Sequence, residues 1–153
     1  MRYIGLDLGT KTLGISISDT SLLIASTYKT IRFDNYDDLI KELNKIITEF
    51  NVEKIVLGLP KNMNNTLGDA AKRSIEFKEI LEKNFNVEVV LQDERLTTVE
   101  AHNIMIQGGL SRKKRKKYVD SLSANIILQN YLDRKKENKW CLKKKWDKVN
   151  LLI

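Results

Sequence analysis

Residues 2–19, RYIGLDLGTKTLGISISD, decide the fold. The stretch 2–8, RYIGLDL, reads as a strand that ends at Asp7. A tight turn follows over Gly9, Thr10, Lys11 and Thr12. Residues 13–19, LGISISD, alternate apolar and polar side chains with the period of two that a strand requires. Two strands joined by so short a turn pair antiparallel. Residues 22–33 supply a third strand, so the chain opens as a meander.

The period then changes. Leu39, Ile40, Leu43, Ile46, Ile47 and Phe50 fall on one stripe of a helix over 36–50, with Asp34 or Asn35 placed to cap it. Residues 53–58, EKIVLG, form a short apolar strand, and its place between two helices suggests a buried parallel one. A helix over 66–84 and a strand at about 87–92, VEVVLQ, come next. A helix over 97–107 starts behind Thr97 or Thr98 and stops at Gly108-Gly109. A last helix runs from about 116 to 133. The order predicts an α/β fold, a mixed five-stranded sheet with helices on both faces and right-handed crossovers between its parallel strands. In such sheets, sites gather at the carboxyl ends of strands, near the change of strand order. Asp7 ends the first strand, and Asp93 and Glu94 are expected just past the last.

With 153 residues, 42% hydrophobic and 31% charged, the chain suits one domain. No apolar run approaches the roughly 18 residues of a membrane span. The start, MRYIGLDLGT, lacks the apolar block and cleavage site of a signal peptide. The single cysteine, Cys141, allows neither an internal disulfide nor a thiolate metal cluster. A cytoplasmic location is expected. The net charge of +7 is unevenly placed. RKKRKK at 112–117 contributes six positive charges, and 134–148 a surplus of six, so the remainder of the chain is acidic, at −5. Concentrated charge of this kind suggests local contact with phosphates. For the tail from 134, a solvated charge run is the plainer reading.

Three acidic positions stand out. Asp7 lies between Leu6 and Leu8, and an unpaired carboxylate buried there costs several kcal/mol. A metal, a cation or backbone N–H groups would compensate, or Asp7 braces the turn after it. In DERLTT, 93–98, two adjacent acids point to opposite sides of a strand end, so one faces the site, unless either caps the next helix. Asp120 falls in the first turn of an apolar helix, where an acid also complements the dipole. Ser121, Ser123 and Ala124 are small and let this end of the helix approach the sheet. Converging carboxylates repel one another unless divalent cations hold them together. Two such ions roughly 4 Å apart activate water and stabilise a leaving oxygen, with no need of a histidine. The lone His102 then has no catalytic part.

The segments GLDLGTKTLGISISD, VLGLPKNMNNTLGDAA, QDERLTTVEA and KKYVDSLSANIILQNYL follow one another in an order that resembles the YqgF family. This family is also called RuvX or Holliday-junction-resolvase-like, and its members are regarded as pre-16S rRNA nucleases. The resemblance covers about 1–133 and leaves 134–153 as a basic C-terminal tail. It implies a ribonuclease H-like fold, hydrolysis of phosphodiester bonds, and Asp7, Glu94 and Asp120 as catalytic and metal-holding acids. The implied cofactor is Mg²⁺ or Mn²⁺, two ions with substrate bound. The implied partner is nucleic acid, pre-rRNA or branched DNA, on ribosomal particles if the former, met by a monomer or weak homodimer without a membrane. Lys11, Lys61, Asn62, Arg95, Arg112, Lys113, Lys114 and Arg115 are the expected nucleic-acid contacts. RKKRKK leads into the Asp120 helix, so its cations would hold a polyanion that the acids repel. The chain departs from the family pattern at Thr12, Asn64 and Ser123, where Arg, Asp and Ala are common.

Two other readings differ in class. DLGTKTLG also resembles the phosphate-binding hairpin of actin-like and sugar-kinase ATPases, but these need a second similar domain, for which 153 residues leave no room. A noncatalytic RNA-binding or assembly factor would not need three acids. Between ribosomal RNA precursor and branched DNA the residues do not choose.

Overall fold

The computed structural model describes residues 1–60, 68–93 and 122–135. It opens with the meander β1 (Arg2–Leu8), β2 (Thr12–Ser18) and β3 (Ala25–Arg32), then α1 (Tyr36–Phe50), β4 (Val52–Leu59), α2 (Asp69–Asn84) and β5 (Glu88–Asp93). Residues 122–135 are helical and are called α3 here. The strands form one sheet in the order β3-β2-β1-β4-β5. β2 lies antiparallel to β1 and β3, whereas β4 lies parallel to β1 and β5 parallel to β4. This is the mixed five-stranded sheet expected, with the strand order changing direction at β1. Among the described residues, no helix is long and apolar enough to cross a membrane.

Alternation along each strand separates two faces. On one, Ile4, Leu6, Leu8, Leu13, Ile15, Ile55, Leu57 and Val89 join Leu39, Leu43 and Ile46 of α1 and Phe77 and Leu81 of α2 in the larger core. On the other, Tyr3, Ala25 and Val56 meet Ile127, Leu128 and Leu132 of α3 in a smaller one. The helix α1 is capped by Asn35, whose Oδ1 accepts the Asp38 N–H at 2.9 Å. It ends at Asn51, which takes the left-handed conformation at φ 51°.

Three boundaries differ from expectation. The third strand begins at Ala25, not at 22, because Leu22–Ile24 belong to a turn built on Asp19. The Asp19 carboxylate accepts the N–H groups of Leu23 (2.8 Å) and Ile24 (3.1 Å), and Leu22 sits at φ 60°. Asp93 is the last residue of β5 rather than a residue beyond it. The helix α2 begins at Asp69 behind Gly68. The helix expected over 97–107 lies outside the described residues.

Candidate active site

Tyr3, Gly5 and Asp7 share one face of β1, since Ile4, Leu6 and Leu8 belong to the other. That face is the one α3 covers. Gly5 permits the cover. A Cβ there would lie 2.5 Å from Ser16 Oγ, 2.7 Å from Leu128 Cβ and 2.8 Å from the Ala124 carbonyl oxygen. The helix therefore sits on β1 at backbone contact, and Ser123 and Ala124, both buried, are small enough to allow it. The Ser16 hydroxyl donates to the Ala124 carbonyl at 2.8 Å and fixes the helix to β2. Further along, Gln129 Nε2 donates to the Leu23 carbonyl (3.0 Å), and its Oε1 accepts the Ala25 N–H (2.8 Å). The last turn brings Lys135 to Tyr3. So α3 runs against β1, and its amino-terminal end faces the end of β1 that carries Asp7.

Asp7 is half-buried and has further interactions of its own. Its neighbours in the sheet are unusual. On β2 it pairs with Gly14. On β4, Leu57 pairs with Leu6, so Gly58 stands level with Asp7. Gly58 pairs in turn with Gln92 of β5, which is 5% exposed. One row across this face thus reads Gly14, Asp7, Gly58, Gln92. Neither neighbour of Asp7 carries a side chain, so its hard carboxylate oxygens stand on a bare stretch of the sheet. Such oxygens suit Mg²⁺ or Mn²⁺, and the two glycines leave space that any Cβ would take.

The turn after β1 is tight. The Gly9 N–H donates to the Thr12 carbonyl at 2.8 Å, and a Cβ on Gly9 would lie 2.9 Å from Thr12 Oγ1. This holds the exposed Lys11 at the same sheet edge as Asp7, with its carbonyl accepting the Phe33 N–H at 2.9 Å. Of the expected site residues, Asp7 and Lys11 are described. Glu94, Asp120, Lys61, Asn62, Arg95, Arg112, Lys113, Lys114 and Arg115 lie outside the described residues. Among the described residues no three metal-ligating side chains are gathered. Asp93 alternates with Leu91 and Val89, which face the larger core, so it rises from the face opposite Asp7.

A second polar cluster sits at the other end of this face, and residue spacing alone did not reveal it. Lys54 is buried, with Nζ donating to the Tyr131 hydroxyl at 3.0 Å and 3.3 Å from Glu88 Oε2. Its ammonium lies over the Tyr3 ring (5.1 Å) and the Tyr131 ring (5.5 Å). Burial works against the charge, but contacts with Lys135, Tyr131 and Glu88 outweigh it and raise the Lys54 pKa above the usual lysine value. Lys135 is lowered, first by its hydrogen bond with Lys54 and then by burial. The signal available was a lysine inside the apolar run EKIVLG.

A mixed sheet in the order β3-β2-β1-β4-β5, with an acid at the end of the central strand and a helix seated on a glycine beside it, defines the ribonuclease H-like class. Solved structures agree in fold. The fowlpox virus resolvase in complex with Holliday junction DNA matches 88% of this chain and 98% of its own, with a TM-score of 0.55 at 15% identity. RuvC of Thermus thermophilus, in complex with a Holliday junction substrate, matches 88% and 95% with a TM-score of 0.52 at 13% identity. The family described as "RuvX: Holliday junction resolvase" matches residues 1–134, and the chain belongs to this family of nucleases. A protein of Clostridium tetani named "Putative pre-16S rRNA nuclease" is 52% identical over 133 residues, covering 87% of this chain and 96% of that one. A protein of Caldanaerobacter subterraneus with the same name is 46% identical over 139 residues, covering 90% and 100%.

Proposed function

We propose that this protein is a metal-dependent nuclease that trims the 5′ end of pre-16S rRNA in the cytoplasm. The observation that carries the reading is the placement of Asp7. It ends the central strand, between glycines, on the face where the amino-terminal end of α3 points. Asp120 lies four residues before Ala124, and a helix rises about 1.5 Å per residue. A helix continued that far along the axis of α3 would carry Asp120 toward Asp7. Glu94 lies two residues beyond Gln92, and a strand continued that far would carry it on the same face. In this reading Asp7, Glu94 and Asp120 hold Mg²⁺ or Mn²⁺, which supplies an activated water and charge stabilisation at the phosphate. Lys11, Lys61, Asn62, Arg95 and the run Arg112–Lys113–Lys114–Arg115 bind the strand and offset the repulsion between acids and polyanion.

RNA is favoured over branched DNA by the names of relatives at 46–52% identity that span nearly their whole lengths. The resolvases resemble the chain in fold alone. Depleting the protein from its own cell tests the choice. Accumulation of 16S rRNA with extended 5′ ends is the expected result. Normal rRNA ends beside persistent branched DNA would reverse it.

A further inference from the structure

The polar cluster at the far end of the α3 face brings two lysines onto one pair of rings. Lys54 Nζ is 5.1 Å from the Tyr3 centroid and 5.5 Å from that of Tyr131, and Lys135 Nζ is 5.4 Å and 5.6 Å from them. The rings themselves are 6.2 Å apart. Tyr3 comes from β1, Lys54 from β4, Glu88 from β5, and Tyr131 and Lys135 from α3. Among the described residues, Glu88 is the carboxylate paired with this cluster, and it pairs with Lys54, at 3.3 Å. Lys135 instead meets the Tyr3 hydroxyl, at 3.4 Å. The two amines also share a hydrogen bond. An ammonium has three donors and no acceptor, so two ammonium groups cannot make that bond. The proton stays on Lys54, beside the carboxylate, and leaves Lys135 more readily. Contact with Lys54 first, and burial second, hold the Lys135 pKa below the usual lysine value.

We propose that Lys135 is an acylation site, whose amine takes an acyl group from an acyl phosphate. A lysine beside a second cation is an activated nucleophile, because the neutral amine is the reacting form. Lys135 is half-buried, so a small reagent can reach it, whereas Lys54 is buried. In the step, the Nζ lone pair attacks the acyl carbonyl carbon and a C–N bond forms. The C–O bond to phosphate breaks, phosphate leaves with that electron pair, and the surplus proton on nitrogen passes to water. The amide product carries no charge, so the repulsion between the two amines ends.

The test incubates the whole protein with acetyl phosphate at neutral pH and follows acetylation of each lysine by peptide mass spectrometry. Lys135 is expected to react about tenfold faster than Lys83, which is exposed in the last turn of α2. Its rate should also level off at a lower pH than that of Lys83, because the neutral fraction saturates once the pH passes a lowered pKa. Lys54→Met keeps an apolar stem between the rings and removes the neighbouring charge. In that variant Lys135 should slow to the rate of Lys83. Equal rates for Lys135 and Lys83 in the wild type would overturn the inference, as would a fast Lys135 in folded Lys54→Met protein. Should that variant fail to fold, the wild-type pH profiles decide, and identical profiles for the two lysines would overturn the inference as well.

Discussion

The two faces of the sheet are built from the same strands and do different work. Toward α1 and α2, β1 presents Ile4, Leu6 and Leu8, and β4 presents Ile55 and Leu57. Toward α3, the same strands present Gly5, Asp7 and Gly58, with Ser16 and Gln92 from their neighbours. The first face buries area, and each large apolar side chain there contributes about 1.5–3 kcal/mol. The second gives up side-chain volume at Gly5 so that a helix backbone can come close. The larger core lies on the first face, and the second combines the smaller core around Val56, Ile127 and Leu128 with the close-packed glycines and the carboxylate of Asp7.

The contrast between the faces predicts where substitutions will act. The largest effect is on activity alone. Glu94→Gln and Asp120→Asn are expected to abolish cleavage while leaving the melting temperature equal or slightly higher, because a repulsive charge is removed. Cleavage at wild-type rates by both folded variants would remove them from the site. Gly5→Ala comes next, and it should act through stability. Its Cβ would press on the Ala124 carbonyl and on Leu128, and overpacking of this kind costs about 1–3 kcal/mol. Thermal melting should fall by several degrees. A melting curve like the wild type's would mean that α3 does not rest on β1.

Smaller effects follow. Neutralising Arg112, Lys113, Lys114 and Arg115 should weaken substrate binding and flatten its salt dependence, by roughly 0.7–0.9 in slope for each phosphate no longer neutralised. An unchanged slope in a filter-binding titration would place the run away from the substrate. Ser16→Ala removes the 2.8 Å hydrogen bond to the Ala124 carbonyl and should cost about 0.5–1.5 kcal/mol in denaturant unfolding. Truncation after Arg134 should leave the single-turnover rate unchanged, because the match to the family ends there. A folded truncation that loses this rate would bring the tail into the active site.

Local signals carried most of the fold. The β1–β2 hairpin was legible because period and turn lie within one continuous stretch, and α1 because its stripe and the Asn35 cap are both local. The start of β3 was not legible. SLLIA reads as apolar strand, but the Asp19 carboxylate captures two N–H groups and turns the chain first. Asp7 was legible as a costly carboxylate between leucines. Its row with Gly14, Gly58 and Gln92 was not, because that row depends on interstrand register between positions far apart in sequence. The close seating of α3 was half legible. Ser123 and Ala124 announced a close approach, whereas the choice of Gly5 as the point beneath them is a matter of three-dimensional packing.

The proposed function requires that Asp7 support metal-dependent hydrolysis on the α3 face. The most direct measurement is single-turnover cleavage of a 5′-extended 16S rRNA fragment by saturating wild-type and Asp7→Asn protein. Each is assayed with Mg²⁺, with Mn²⁺, with Ca²⁺ and with chelator. Cleavage by the wild type in Mg²⁺ or Mn²⁺, little in Ca²⁺ with its larger, looser shell, none in chelator, and none by folded Asp7→Asn under any condition is the predicted result. Full cleavage in chelator, or by Asp7→Asn at the wild-type rate, would contradict it.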